Sequence, residues 1–222
     1  MSLVRPISHV VFDMDGVLLD TERFYTEVTR EIVGRYGKEF DWSLKGNMIG
    51  RPAIDSARYL VAALELPLTP EEYLSERETM LERLLADARP MPGASELTAM
   101  LAQRRIPLAV ATSSNRRLFA LKTARHREWF ERDFAAVVLG DDPRVRRGKP
   151  APDIFLVAAD ELGADPRRCL VVEDAPAGVA AAHAAGMQVL AVPDAGMDRE
   201  RFREAELVVD SLAAVSPALL GL

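Results

Sequence analysis

Four short segments carry residue types that could do chemistry together. The first is Asp13-Met14-Asp15-Gly16-Val17. Residues i and i+2 of an extended chain face the same side, so Asp13 and Asp15 can project into one cleft. Two carboxylates about 4 Å apart repel by roughly 4 kcal/mol at a protein-like dielectric, so the pair needs a cation or a proton on one member. The second segment is Thr112-Ser113-Ser114-Asn115. Hydroxyls and backbone N–H groups at a helix start make an anion site. The third is Gly148-Lys149-Pro150, in a chain with 4 lysines and 24 arginines. A lysine here departs from that usage, and suggests a compact ammonium rather than a planar fork. The fourth is Glu173-Asp174-Ala175-Pro176-Ala177-Gly178. Acidic residues that end a buried strand and open a helix are good oxygen ligands for Mg²⁺.

Taken singly, each segment has a plainer reading: a polar turn, an ordinary helix cap, a solvated basic loop. Their order along the chain argues otherwise. Short β-branched runs recur at His9–Phe12, Leu108–Ala111, Ala136–Leu139, Leu170–Val172, Val189–Val192 and Leu207–Val209. They are nearly continuous apolar, as expected of parallel strands buried on both faces. Helical stretches between most of them give the alternation of an open α/β fold. The Asp-x-Asp, Thr/Ser, Lys and Glu-Asp segments follow the first four runs in sequence, and parallel topology brings the four loops to one rim. Three or four carboxylates there could not bind a phosphate dianion unaided. A divalent cation and Lys149 would supply the compensating charge.

Between residues 18 and 88 no strand pattern occurs. Three amphipathic helices are expected instead. Phe24, Val28, Ile32 and Tyr36 recur every fourth residue in the first. Pro52 opens the second, with Ala53, Ala57, Leu60 and Leu64 on a stripe. The third starts at the capping box Thr69-Pro70-Glu71-Glu72, and its stripe is Tyr73, Arg77, Met80, Leu81 and Leu84. Seventy residues of helix are too many for a crossover, which indicates an inserted helical domain.

Composition sets the remaining bounds. The chain has 222 residues, 49% apolar content and a net charge of −6, enough for a sizeable core and unsuited to a broad nucleic-acid footprint. Its single cysteine, Cys169, opens an apolar run and reads as a core residue. No run of 18 apolar residues and no signal peptide is seen, so the expectation is a soluble cytoplasmic protein, a monomer, with no membrane or nucleic-acid partner. A P-loop, G-x-x-x-x-G-K-[ST], is absent. His9, His126 and His183 lie away from the expected rim, and Trp42 and Trp129 read as packing residues.

These four segments resemble the four motifs of the haloacid dehalogenase superfamily, and the helical insert resembles its C1-type cap. The resemblance runs over essentially the whole chain. It implies an α/β fold with a Rossmann-like parallel sheet core from residues 1–17 and 89–222, and a helical cap domain at 18–88. It implies an Mg²⁺-dependent phosphatase with Asp13 as nucleophile and Asp15 as general acid/base. Thr112 and the Ser113 amide would hold the phosphoryl group, with Ser114 and Asn115 beside them, and Lys149 would stabilise charge. Asp13, the Asp15 carbonyl and Asp174 would bind Mg²⁺, with Glu173 a ligand or a support behind it. Phe12–Arg23, Val138–Pro143, Gly148–Phe155, Glu173–Gly178 and the tail Leu219–Leu222 are most similar to pseudouridine-5′-phosphatases. That implies a small phosphorylated metabolite as substrate, with the cap groups Asn47 and Arg51 meeting its leaving group. A β-phosphoglucomutase-like mutase and a non-catalytic binding protein are the alternatives. The mutases carry a histidine where this chain has Tyr25, which favours the phosphatase.

Overall fold

In the computed structural model, which describes residues 3–49 and 53–222, the β-branched runs pair into one six-stranded sheet. The strands are β1 (His9–Phe12), β2 (Leu108–Thr112), β3 (Ala136–Leu139), β4 (Cys169–Glu173), β5 (Gln188–Ala191) and β6 (Leu207–Val208). Their order is β3-β2-β1-β4-β5-β6 and every pairing is parallel. Phe12 stands between Val110 and Val172, so the carboxyl ends of β1, β2 and β4 finish nearly level. The direction of winding reverses at β1, and ligands of open α/β sheets bind in the crevice at such a point.

Alternate side chains of each strand enter two separate apolar layers. Val11, Ala109, Ala111, Val171, Val189 and Ala191 pack with Phe155 and Ala182 on one face. Val10, Phe12, Leu108, Val110, Leu170, Val172 and Leu190 line the other, where Trp129, Phe130 and Phe134 form an aromatic cluster. Cys169 is buried among the first set, and burial pushes its thiol up to about 11, as suits a core residue rather than a nucleophile.

No strand occurs among the described residues between Phe12 and Leu108. That interval holds α1 (Glu22–Gly34), α2 (Trp42–Met48), α3 (Ala53–Leu64) and α4 (Pro70–Leu85), followed by α5 (Ala94–Gln103). The apolar stripes Phe24/Val28/Ile32, Ala57/Leu60 and Tyr73/Leu81/Leu85 face inward and join the layer that holds Val10 and Phe12. The capping box of α4 forms as expected, with Glu72 N–H donating to Thr69 Oγ1 at 3.2 Å and Thr69 N–H to Glu72 at 2.7 Å. Two features differ from the sequence reading. Helix α1 ends at Gly34, and Gly37 adopts a left-handed φ of +69°, so Tyr36 lies beyond the helix and is exposed. An additional short helix, α2, starts at Asp41, whose side chain accepts from the N–H groups of Ser43 and Leu44.

Helix α2 sits against the segment that follows β5. The Trp42 ring lies so close over Gly196 that a β-carbon there would be 2.3 Å from it, and Arg201 donates to the Gly46 carbonyl at 2.7 Å. Helix α4 is tied to α6 (Arg116–Thr123) by Arg117 pairing with Glu78 and Glu82. The remaining helices are α7 (Arg127–Asp133), α8 (Asp153–Glu161) and α9 (Pro176–Ala184). No helix among the described residues is long and apolar enough to cross a membrane.

Candidate active site

Asp13 leaves the end of β1, its N–H held by the Val172 carbonyl at 2.9 Å. One carboxylate oxygen, Oδ1, accepts from Lys149 Nζ at 2.5 Å, while Oδ2 has no hydrogen-bond partner among the described residues. Lys149 also donates to Glu173 Oε1 at 2.7 Å and the Ala111 carbonyl at 3.3 Å. Glu173 is fully buried at the end of β4, and its other oxygen accepts from the N–H groups of Asp174 and Ala175 at 2.9 and 2.8 Å. Both Glu173 oxygens are thus committed to protein donors: they orient Lys149 and hold the turn that leads into α9.

Asp174 is placed differently. Its carboxylate has no hydrogen bond or ion pair with any described residue. A β-carbon on Gly16, whose φ of +78° already favours glycine, would stand 2.2 Å from Asp174 Oδ2. Burial raises Asp174 well above the usual carboxylate range, and the charges of Glu173, Asp13 and Glu22 add to it. Burial likewise pushes Asp13 to about 7, against the opposing pull of Lys149 and with Glu173 and Asp15 adding. This side of the cleft therefore has more negative charge than its lysine neutralises.

Among the described residues, no three His, Cys, Asp or Glu side chains stand close enough to hold a metal by themselves. Mg²⁺ does not require that: it is usually bound by one or two carboxylates and keeps several waters. The unpartnered oxygens of Asp13 and Asp174 fit such a donor set.

Asp15 faces another way and is enclosed by donors. Its Oδ1 accepts from Thr21 Oγ1 at 2.5 Å and Lys122 Nζ at 2.6 Å, and its Oδ2 from Ser114 Oγ at 3.0 Å. Thr112 Oγ1, at the end of β2, lies 3.5 Å from Oδ2 and accepts from Ser114 N–H at 3.1 Å. Burial opposes ionisation of Asp15, but the Lys122 ammonium and these hydrogen bonds outweigh it and hold the carboxyl below its usual range.

The structure brings Asp13, Lys149 and Glu173 into direct contact, and joins Asp15 to Thr112 and Ser114. Ser113 is exposed at the rim, with its carbonyl against Gly140. Asn115 caps α6, its Oδ1 accepting from Leu118 N–H at 2.9 Å. Asn47 lies apart on α2, where its amide donates to the Ser43 carbonyl and the Tyr59 hydroxyl. It lines a cavity of about 570 Å³ with Pro176 and Ala177, two and three residues beyond Asp174. Arg51 falls outside the described residues.

Lys122 was not foreseen from the sequence, nor was Lys45 on α2, which pairs with Glu22 at 3.5 Å and lies 4.8 Å from the centre of the Trp42 ring. A signal existed: the scarcity that singles out Lys149 applies equally to them. Of the four lysines, Lys45, Lys122 and Lys149 all have nearly buried side chains.

The family model of haloacid dehalogenase-like hydrolases matches residues 7–186. The chain belongs to this family. It is 49% identical to (DL)-glycerol-3-phosphatase 1, mitochondrial, of Arabidopsis thaliana, over 97% of this chain and 74% of that protein. It is 44% identical to the probable pseudouridine-5′-phosphatase of Drosophila melanogaster, over 99% of this chain and 96% of that protein. The fold is similar to a crystal structure of a haloacid dehalogenase family hydrolase from Deinococcus radiodurans with bound phosphate and sodium. That match has a TM-score of 0.79 and 28% identity, and covers 97% of this chain and 96% of that one. As a haloacid dehalogenase-like hydrolase the chain is a phosphoric monoester hydrolase that acts on small phosphate esters.

Proposed function

We propose that the enzyme works in two steps, with Asp13 as nucleophile and Asp15 as proton carrier. The observation that carries this reading is the asymmetry of Asp13: one oxygen is bound to Lys149 and the other is unpartnered at the crevice of the sheet. That free oxygen attacks phosphorus while the ester P–O bond breaks, and Asp15, ionised in the free enzyme, passes to the departing oxygen a proton that it takes from the bound ester monoanion. Asp15 then takes a proton from water as its oxygen attacks the aspartyl-phosphate, and Asp13 is released with phosphate. Thr112 and the Ser113 amide hold the phosphoryl oxygens, within a loop shaped by Ser114 and Asn115. Glu173 keeps Lys149 aimed at Asp13. Asp13, Asp174 and the Asp15 carbonyl would hold Mg²⁺, which would supply the positive charge that lets a carboxylate approach a phosphate dianion.

Residues 18–88 act in this reading as a cap over a core of residues 1–17 and 89–222, and closure excludes water from the intermediate. Asn47, at the seam beside Pro176, and Arg51 meet the leaving group. Pseudouridine 5′-phosphate is the leading substrate, supported by the 44% identical relative and the segments that resemble its family. A glycerol phosphate is the second reading, favoured by the glycerol-3-phosphatases of Arabidopsis thaliana at 49% and 48% identity. Mutase activity is disfavoured: Tyr25 stands where the mutases carry histidine, and burial raises its phenol above the ordinary range.

The test is phosphate release from pseudouridine 5′-phosphate, uridine 5′-phosphate, glycerol 3-phosphate and β-glucose 1-phosphate, with Mg²⁺ and with chelator. Pseudouridine 5′-phosphate should be turned over fastest, and only with Mg²⁺. Faster release from glycerol 3-phosphate would move the assignment to the second reading. Isomerisation of β-glucose 1-phosphate outpacing hydrolysis would overturn the phosphatase mechanism.

A further inference from the structure

Lys122 is the most buried of the lysines, 1% exposed, and it projects from core helix α6 toward the cap. Fold stability does not require a charge at this place. A buried ion pair repays its desolvation only when its geometry is good and its remaining donors are satisfied, and an apolar pair of similar volume is often as stable. Here the geometry is complete. The ammonium has three N–H donors and three acceptors: Asp15 Oδ1 at 2.6 Å, Ser114 Oγ at 2.8 Å and the Tyr25 hydroxyl at 3.3 Å.

Two of these contacts close a ring. Lys122 donates directly to Asp15 Oδ1, and it also donates to Ser114 Oγ, which donates in turn to Asp15 Oδ2. Both oxygens of one carboxylate are thereby referred to a single ammonium, which fixes the plane of the carboxylate as well as its position. The other close donor to Asp15, Thr21 Oγ1, lies at the entrance to cap helix α1, the helix that also carries Tyr25. Movement of the cap would carry Thr21 and Tyr25 away, while Lys122 and Ser114 remain with the core. The Tyr25 ring lies between two cations, with Lys122 Nζ and Arg77 Cζ each 5.5 Å from its centre, so the ammonium also abuts the cap.

We propose that Lys122 is a positioning residue that, with Ser114, fixes the plane of the Asp15 carboxylate and so governs its proton transfer with the substrate oxygen. This role rests on the assignment of Asp15 as proton carrier. A residue acting through Asp15 matters most where the leaving oxygen needs a proton. Phenyl phosphate, whose phenol has a pKa of about 10, depends on that proton, whereas p-nitrophenyl phosphate releases a much weaker base.

The test compares the single-turnover rate of phenol release from these two esters, the step that precedes attack of water on the aspartyl-phosphate, for the wild type, Lys122→Gln, Asp15→Asn and the double variant, with Mg²⁺ present. Lys122→Gln should lose about 10- to 100-fold on phenyl phosphate and severalfold at most on p-nitrophenyl phosphate, part of the range of a general acid. In the Asp15→Asn background the same change should cost nothing further. An equal loss on both esters, or an additive loss in the double variant, would overturn the role. If Lys122→Gln fails to fold, Ser114→Ala opens the ring while keeping the ion pair and should show the same selective loss; an unselective loss refutes the proposal. A wild type inactive on both esters would refute the phosphatase reading itself, and this role with it.

Discussion

Glu173 and Gly178 are in such close contact that a β-carbon on the glycine would lie 1.8 Å from Glu173 Oε1. The first turn of α9 is hollowed by this glycine, and the Glu173 carboxylate occupies the hollow while it holds Lys149. Gly178→Ala must therefore displace a fully buried carboxylate or shift the helix. Overpacking of this kind costs about 1–3 kcal/mol. Urea unfolding should show that loss, and kcat should fall with it because Lys149 loses its aim. A variant of normal stability and rate would mean that Glu173 does not position the lysine.

Lys149 pairs with both Asp13 and Glu173 from a nearly buried position. Lys149→Met would leave two buried carboxylates without a cation. Removing one partner of a buried pair typically destabilises by about 3–5 kcal/mol. The expected result at pH 7 is a fall of that order in unfolding free energy, with activity lost even under conditions where the variant remains folded. Unchanged stability would contradict the network.

Asp13→Asn should abolish turnover and leave the fold intact, since an amide of the same shape cannot form the acyl-phosphate. Uncatalysed phosphate-ester hydrolysis is among the slowest reactions, so no residual rate should be measurable. Asp15→Asn should cost roughly 10²–10⁴-fold. Circular dichroism would establish the fold and single-turnover phosphate release the rate. A near-normal rate for Asp13→Asn would remove the nucleophile from the mechanism.

Metal and pH should act together. With its carboxyl raised to about 7, Asp13 binds a proton more tightly in the folded chain than in the unfolded one, where it titrates near 4. Its contribution to stability is thus fully present below about pH 4 and is lost as pH rises through about 7. Asp174 is shifted in the same direction. Mg²⁺ binds the deprotonated carboxylates, so its stabilising effect should grow over that same interval. At 100 times its dissociation constant a ligand adds about 2.7 kcal/mol. The rise in Tm on adding Mg²⁺ should be small at pH 5 and large at pH 8, and equal increments at both would exclude these carboxylates as the binding site.

What the sequence discloses and what it hides follow the range of the interactions. The strands and the residues that leave their ends are legible because each depends on a few neighbours: Val10–Phe12 then Asp13, or Leu170–Val172 then Glu173 and Asp174. The capping box at Thr69 is local in the same way. Helix α2 is harder to see, because seven residues containing Gly46 show little apolar periodicity, and its stability comes from Asp41 at one end and the seat on Gly196. The Lys122–Asp15 pair is hidden for another reason. It joins residues 107 positions apart, and a helix facing a cleft gives no periodic signal for one buried cation. Tyr36 misleads in the opposite sense: it keeps the four-residue spacing of α1 after the glycines have ended the helix.

The seat of Trp42 on Gly196 also makes the enzyme its own optical probe. The chain has two tryptophans. Trp129 is buried among Phe130 and Phe134, its indole N–H donating to Thr98 at 2.8 Å, so its emission should stay constant as long as the sheet is folded. Trp42 is partly exposed and its ring rests on Gly196. Lifting α2 from Gly196 would put its indole into water and shift its emission to the red, while rebinding would reverse the shift. Intrinsic fluorescence, with Trp42→Phe as the blank, would therefore report any lifting of α2 during turnover without an added label.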